Sequence, residues 1–349
     1  MTWTVREGHV LDVLASLQDG SAQCCVTSPP YWGLRDYGVP PQAWPEVTFS
    51  PMPGLPPLTI QADTVCLGLE PDPWAFVGHM VALFREVRRV LANDGALWLN
   101  LGDSYAATGK SGGGAQGQRW EACGADTQGP RGGKWSPPPD GLKPKDMVGI
   151  PWRVAFALQA DGWYLRSDCI WAKSNPMPES VRDRPTKAHE YVFLLSKSER
   201  YFYDAEAVRE SDCGRPSGNG FVREHRLSMG GRGREEQWEP GAGRNRRTVW
   251  SINTQPFPGA HFAVFPEALP EVCIKAGSRP GDTVLDPFNG AGTTGLVAAK
   301  LGRDYVGIEL SPRYAAMARE RIAAEVPPDA QAMIDKGLVG QVGLPLDAA

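Results

Sequence analysis

Two stretches of this chain carry residue types that could do chemistry together. The first is Thr27-Ser28-Pro29-Pro30-Tyr31-Trp32. A short apolar run, Ala22 to Val26, leads into it. Consecutive prolines have no N–H to donate, so no strand or helix continues through them. Their carbonyls stay free as acceptors. The Ser28 hydroxyl precedes them, and Tyr31 or Trp32 offers a stacking face. Alone, this is a strand with a stiff turn. Combined with a partner site, it is a set suited to holding something flat.

The second stretch lies more than 250 residues on. A short buried strand, Thr283-Val284-Leu285-Asp286, runs into Pro287-Phe288-Asn289-Gly290-Ala291-Gly292-Thr293-Thr294-Gly295 and a helix through Leu301. Gly290, Gly292 and Gly295 spell GxGxxG, and Glu309 follows about 20 residues later, where a ribose-binding acid belongs. A nicotinamide or flavin oxidoreductase is therefore one reading. The Asp286 carboxylate argues against it, because it would repel a pyrophosphate on the helix N-terminus and welcome a cationic group instead. Thr293 and Thr294 place hydroxyls at the helix start. A ligand with a ribose diol, an ammonium and no phosphate is S-adenosylmethionine.

The intervening elements must bring these stretches together. Leu11, Leu14 and Leu17 predict a first helix, ended by Gln18-Asp19-Gly20. Residues 38–73 are proline-rich without periodicity and read as a long irregular loop. Met80, Phe84, Val87 and Leu91 predict a helix from Phe76 to Leu91, stopped by Asn93-Asp94-Gly95. A strand Ala96–Leu101 then delivers Asn100 and Asp103 to the same edge as Ser28. Residues 109–146 are rich in Gly, Ser and Pro. Further on come a helix Trp152–Gln159, a strand Tyr164–Lys173 and a hairpin pairing Tyr191–Leu195 with Tyr201–Tyr203. A strand Tyr305–Ile308 and a helix Pro312–Ala324 close the pattern. The order predicts an α/β fold: a doubly wound, mostly parallel sheet with an antiparallel hairpin strand, plus inserted loops. In such sheets, ligands sit beyond the carboxyl ends of the strands.

The chain has 349 residues, 42% hydrophobic, with a formal net charge of −4, so no global basic field points to nucleic acid. Seven cysteines without a CxxC pair, and no leader-like segment, predict reduced thiols in a cytoplasmic protein. No apolar run approaches the roughly 18 residues of a membrane span. Residues 211–247 reverse the sign locally. Arg215, Arg223, Arg226, Arg232, Arg234, Arg244, Arg246 and Arg247 face only Asp212, Glu224, Glu235, Glu236 and Glu239. Arginine forks suit phosphates and guanine edges.

Ser28-Pro29-Pro30-Tyr31 followed by Asp286-Pro287-Phe288-Asn289-Gly290-Ala291-Gly292-Thr293-Thr294 resembles the β-group of DNA amino-methyltransferases, in which the catalytic motif precedes the cofactor motif. Gly307-Ile308-Glu309 is similar to that family's ribose-binding strand, and His261 to Pro266 to the segment flanking the cofactor's methionine end. The likeness covers nearly the whole chain outside residues 38–65, 109–140 and 211–247.

The resemblance implies a Rossmann-like methyltransferase sheet whose catalytic half is residues 1–210 and whose cofactor half is 248–325, with 326–349 as a tail. It implies S-adenosylmethionine held by Asp286, Phe288, Asn289, Gly290, Gly292, Thr293, Thr294, Glu309 and Phe262. It implies double-stranded DNA as partner, contacted by Arg223, Arg226, Arg232, Arg234, Arg244, Arg246 and Arg247 in a target-recognition segment. Ser28, Pro29, Pro30 and Tyr31 would act on a flipped-out base, with Asn100 or Asp103 in support. The serine form of the motif is typical of cytosine-N4 enzymes and the aspartate form is commoner in adenine-N6 enzymes. Carbon-5 chemistry would need a cysteine after the Pro-Pro pair, and none is present. Gly8-His9 departs from the usual Gly-Asp. Lys173 and Asn175 could line the base pocket or serve their loop, and His189-Glu190 is expected to pack or cap. Such enzymes are bacterial or phage-borne, are often homodimers, and can accompany a cognate restriction endonuclease.

Overall fold

The computed structural model describes residues 1–34, 36–106, 141–210, 243–255 and 265–325. Its centre is an eight-stranded sheet. Strand β1 is Trp3–Glu7, followed by helix α1, Val10–Ala15. Strand β2, Ala22–Thr27, leads to Ser28. Short strands β3 (Gln42–Trp44), β4 (Val47–Phe49), β5 (Leu58–Ile60) and β6 (Asp63–Val65) precede α2, Pro73–Val90. Then come β7 (Leu91–Leu101), α3 (Ile150–Ala160), β8 (Tyr164–Ala172) and β9 (His189–Ser196). The last part holds β10 (Val249–Ser251), α4 (Ala268–Gly277), β11 (Thr283–Asp286), α5 (Thr293–Lys300), β12 (Asp304–Glu309) and α6 (Pro312–Glu325).

The strand order is β1-β12-β11-β2-β7-β9-β8-β10. Every neighbouring pair is parallel except those made by β9, which runs against both β7 and β8. Side chains alternate between the sheet's two faces. Cys25, Leu97, Leu99, Phe193 and Leu195 join the core under α1, α2 and α3. Cys24, Val26, Trp98, Val192 and Leu194 join the core under α4, α5 and α6. Because the chain leaves β2 by a helix on one face and β11 by a helix on the other, the carboxyl ends of these adjacent strands face a crevice. That is where Ser28 and the glycine turn arrive.

Three expectations are corrected. Residues 38–73 are not irregular: β3 pairs with β6 and β4 with β5, both antiparallel. Val47, Phe49 and Ile60 pack onto α2 at Gly78, where an added Cβ would lie 2.8 Å from Ile60 and 3.0 Å from Val47. The hairpin is not formed between 191–195 and 201–203. Strand β9 takes β7 and β8 as partners, and Phe202 donates its backbone N–H to Asp94. Helix α2 ends at Val90, and Asn93-Asp94-Gly95 instead bulge within β7, where the pairing with β2 slips between Ala22 and Cys24. Helix α4 and strand β10 had no expected counterpart. The five cysteines among the described residues are free, and among those residues no helix is long and apolar enough to cross a membrane.

The glycine turn is shaped by close packing. Gly292 starts α5 with φ +78°, and a Cβ there would lie 2.8 Å from Ala318 Cβ on α6. A Cβ on Gly295 would lie 2.5 Å from the Tyr305 ring and 2.6 Å from Ile322. Gly295→Ala should therefore overpack this junction and lower the unfolding free energy by ~1–3 kcal/mol in urea titrations. An unchanged midpoint would show that the α5–α6 contact yields without cost.

Candidate active site

Asp286 ends β11 and is buried, 1% exposed. Its carboxylate accepts hydrogen bonds from the Thr27 hydroxyl (2.7 Å), the Thr294 hydroxyl (2.7 Å) and the Phe288 N–H (3.0 Å). Thr27 is the residue before Ser28, and Thr294 lies in the first turn of α5. One carboxylate thus ties the end of β2 to the glycine turn. Burial pushes this carboxyl up to about 6, with the three hydrogen bonds pulling it back. Its side chain is turned into the protein, against these elements.

The rest of the turn is held from below. Asn289 is 4% exposed, accepts from the Tyr305 hydroxyl (2.7 Å) and donates to the Gly290 carbonyl (3.0 Å). Thr293 accepts from Arg321 at 2.9 Å. Glu309, at the end of β12, accepts the Gly290 N–H (2.8 Å) on one oxygen and the Ser311 N–H (2.9 Å) on the other. Burial raises this carboxyl above its ordinary range against those bonds. Each oxygen keeps a lone pair. A half-buried carboxylate with spare acceptors beside the glycine turn fits a ribose diol. The acceptor set therefore fits the ribose of a nucleoside cofactor.

Just past the end of β2, Ser28 Oγ lies 3.1 Å from Tyr31 Oη. The phenol is also 2.7 Å from Glu190 Oε2 and 3.0 Å from Asn100 Oδ1. Asn100 is fixed by donating to the Tyr191 carbonyl (3.0 Å), and Glu190 pairs through its other oxygen with Lys173. Burial first, and then the Glu190 charge, raise the Tyr31 phenol well above its ordinary range. The Tyr31 ring packs on Gly102, where a Cβ would come within 2.6 Å of it. Pro29 is buried and Pro30 partly so. Trp32 turns inward and donates to the Glu70 carbonyl (2.9 Å), so it is a core residue.

Asn100 thus joins the Ser28 cluster, whereas Asp103 does not. Asp103 accepts from the backbone N–H groups of Ser104, Gly149 and Ile150 at 2.9–3.0 Å and so caps α3. Those bonds commit its carboxylate to the start of α3. Asn175 is also occupied, exchanging hydrogen bonds with the backbone of Thr254. Arg244 and Arg247 both pair with Glu210, at 3.1 and 3.0 Å, and Arg246 lies over the Trp250 ring at 5.3 Å. Arg223, Arg226, Arg232, Arg234 and Phe262 lie outside the described residues. Glu190 is the member that sequence reasoning assigned to packing. It sits opposite Trp171 at the start of β9 with no motif around it, and only the pairing of β9 with β7 and β8 brings it to Tyr31.

Known proteins supply the family. The family model for N6/N4 DNA methylases matches residues 22–320. The chain belongs to that family. The methylase is similar to the Type II methyltransferase M.Cfr9I of Citrobacter freundii, 46% identical over 92% of this chain and 88% of the relative. Its fold is shared with the PvuII DNA methyltransferase (cytosine-N4-specific): TM-score 0.57, 18% identity, 96% of this chain and 91% of that one. It is shared too with a candidate DNA modification methylase from Thermus thermophilus, solved with S-adenosyl-L-methionine: TM-score 0.54, 24% identity, 93% and 94% coverage. The chain is a DNA methyltransferase of an S-adenosylmethionine-dependent family.

The Asp286 clamp sets a pH dependence. An aspartate whose folded pKa lies above its unfolded value binds its proton more tightly when folded. Its contribution is full below about 4 and is lost as pH rises through about 6. A separation of about two pH units is ~3 kcal/mol. The unfolding free energy of wild type minus that of Asp286→Asn should therefore fall by ~3 kcal/mol between pH 4 and pH 7. A difference independent of pH would show that Asp286 does not titrate in this window.

Proposed function

We propose that the methylase transfers the methyl group of S-adenosylmethionine to the exocyclic N4 amine of a cytosine turned out of double-stranded DNA. The observation that carries this reading is the placement of Ser28 at the end of β2, one residue from the Thr27–Asp286 bond that fixes it beside the cofactor turn.

An exocyclic amine is a weak nucleophile because its lone pair is delocalised into the ring. The cofactor supplies an electrophilic methyl on a sulfonium, whose bond to carbon breaks with its electron pair left on sulfur as the amine lone pair forms the new bond. This chain has to hold the amine by its hydrogens and free that lone pair. Ser28 Oγ and the Pro29 carbonyl are the acceptors for the two N–H bonds. The Tyr31 ring, seated on Gly102, forms a flat wall. Glu309 takes the ribose diol, the Gly290–Gly292 turn lets backbone approach the ligand, and Phe288 and Asn289 shape that edge. Asp286, Thr293 and Thr294 act by holding the turn. Orientation then supplies much of the rate.

Cytosine-N4 rests on the serine form of the motif, and adenine-N6 is the alternative within the same family. The arginines of residues 211–247 are read as the DNA-contacting segment. A restriction-modification setting follows the Type II designation of the relatives, with a cognate endonuclease and a homodimer as further proposals.

Digesting DNA methylated by the enzyme to nucleosides should give N4-methylcytosine by mass spectrometry, and N6-methyladenine alone would overturn the base assignment. Ser28→Ala should cut turnover by roughly 10²-fold with S-adenosylmethionine affinity unchanged in calorimetry. Unchanged turnover would remove Ser28 from the reaction.

A further inference from the structure

The phenol of Tyr31 has one proton and two acceptors close to it, Glu190 Oε2 at 2.7 Å and Asn100 Oδ1 at 3.0 Å. Asn100 is held with its oxygen toward Tyr31, because its amide nitrogen donates to the Tyr191 carbonyl. Glu190, paired with Lys173, is an acceptor only. The shorter, charge-assisted bond takes the phenol proton. Ser28 is left to donate to Tyr31 Oη, at 3.1 Å. Its hydrogen then points inward and its lone pairs point away from the cluster.

We propose that Glu190 is a positioning residue for methyl transfer: acting through Tyr31, it makes Ser28 an acceptor for the target amine and takes up the proton that the amine gives off. The inference rests on the reading of Ser28 as the amine's acceptor. When the new N–C bond forms, the nitrogen carries one hydrogen too many. That proton passes to Ser28 Oγ, the Ser28 proton to Tyr31 Oη, and the phenol proton to Glu190 Oε2. One proton enters at Ser28 and one arrives at Glu190, whose carboxylate becomes a carboxylic acid. Ser28 and Tyr31 each end with one proton, their hydroxyls turned the other way until Glu190 gives its proton up, and Lys173 keeps its proton. The Glu190 and Lys173 side chains, 16% and 19% exposed, keep an edge to solvent through which the proton can leave. Lys173 is further held over the Trp171 ring at 4.4 Å, which keeps Glu190 Oε2 for Tyr31.

The test compares Glu190→Gln, Tyr31→Phe and the double variant in the full chain. Single-turnover transfer of labelled methyl to unmethylated DNA is measured alongside calorimetric affinity for S-adenosylmethionine. Glu190→Gln should lower the rate about 10-fold with KM for DNA and cofactor affinity unchanged. Adding it to Tyr31→Phe should cost nothing more, since the two act in one chain. Losses that multiply, or a change confined to KM or cofactor affinity, would overturn the proposal. Should Glu190→Gln fail to fold, Tyr31→Phe keeps the ring on Gly102 and tests the chain alone, and an unchanged rate there would overturn it. If Ser28→Ala leaves turnover intact, the reading of Ser28 has failed. If Ser28→Ala is slow and Glu190→Gln is not, only this inference has.

Discussion

A carboxylate buried between two strands from opposite ends of the chain holds this molecule's two working loops in one place. Asp286 accepts from Thr27 on β2 and from Thr294 and Phe288 on the glycine turn. A buried charge without partners would be costly, and one with three short hydrogen bonds is tolerated. Thr27 and Asp286 stand side by side because β2 and β11 pair in parallel, with Cys25 opposite Leu285. Sheet topology brings residue 28 to residue 290. The hydrogen bonds then fix their relative position far more finely than strand pairing alone.

From that clamp outward, the site divides the labour between strands. β12 supplies Glu309, held by the N–H groups of Gly290 and Ser311. β7 supplies Asn100 and, one step further, Gly102, whose missing side chain gives the Tyr31 ring its seat. β9, the antiparallel strand, supplies Glu190, and β8 ends beside Lys173. The hydrophobic cores under both faces keep these strand ends from drifting. Among the described residues, many polar groups at the carboxyl edge are committed to one another.

Much of this was readable in the residues. Apolar runs ending in Ser28 and Asp286, and the spacing of Gly290, Gly292, Gly295 and Glu309, locate both loops because short buried strands and tight turns are local signals. Function followed from two motifs whose combination is far more specific than either. The rest depends on contacts distant in sequence. Asp103 reads as a strand-end acid, and only the arrival of Gly149 and Ile150 makes it a helix cap. Asp286 reads as a strand-end acid, and its bond to Thr27 comes from 259 residues away. Residues 38–73 lack periodicity because their strands are three residues long, and they are ordered by packing on α2 at Gly78. Glu190 has no motif, and its role is set by which strands flank β9.

In the proposed reaction, methyl transfer depends on the Thr27–Asp286 bond to align the Ser28 loop with the glycine turn. Thr27→Val keeps the side chain's shape and removes the donor. A misalignment of about 1 Å can cost 10²-fold in rate. Measured by single turnover with cofactor affinity in parallel, Thr27→Val is predicted to slow transfer at least ~10-fold while S-adenosylmethionine binding stays within about threefold. A wild-type rate in a correctly folded Thr27→Val protein would contradict the account.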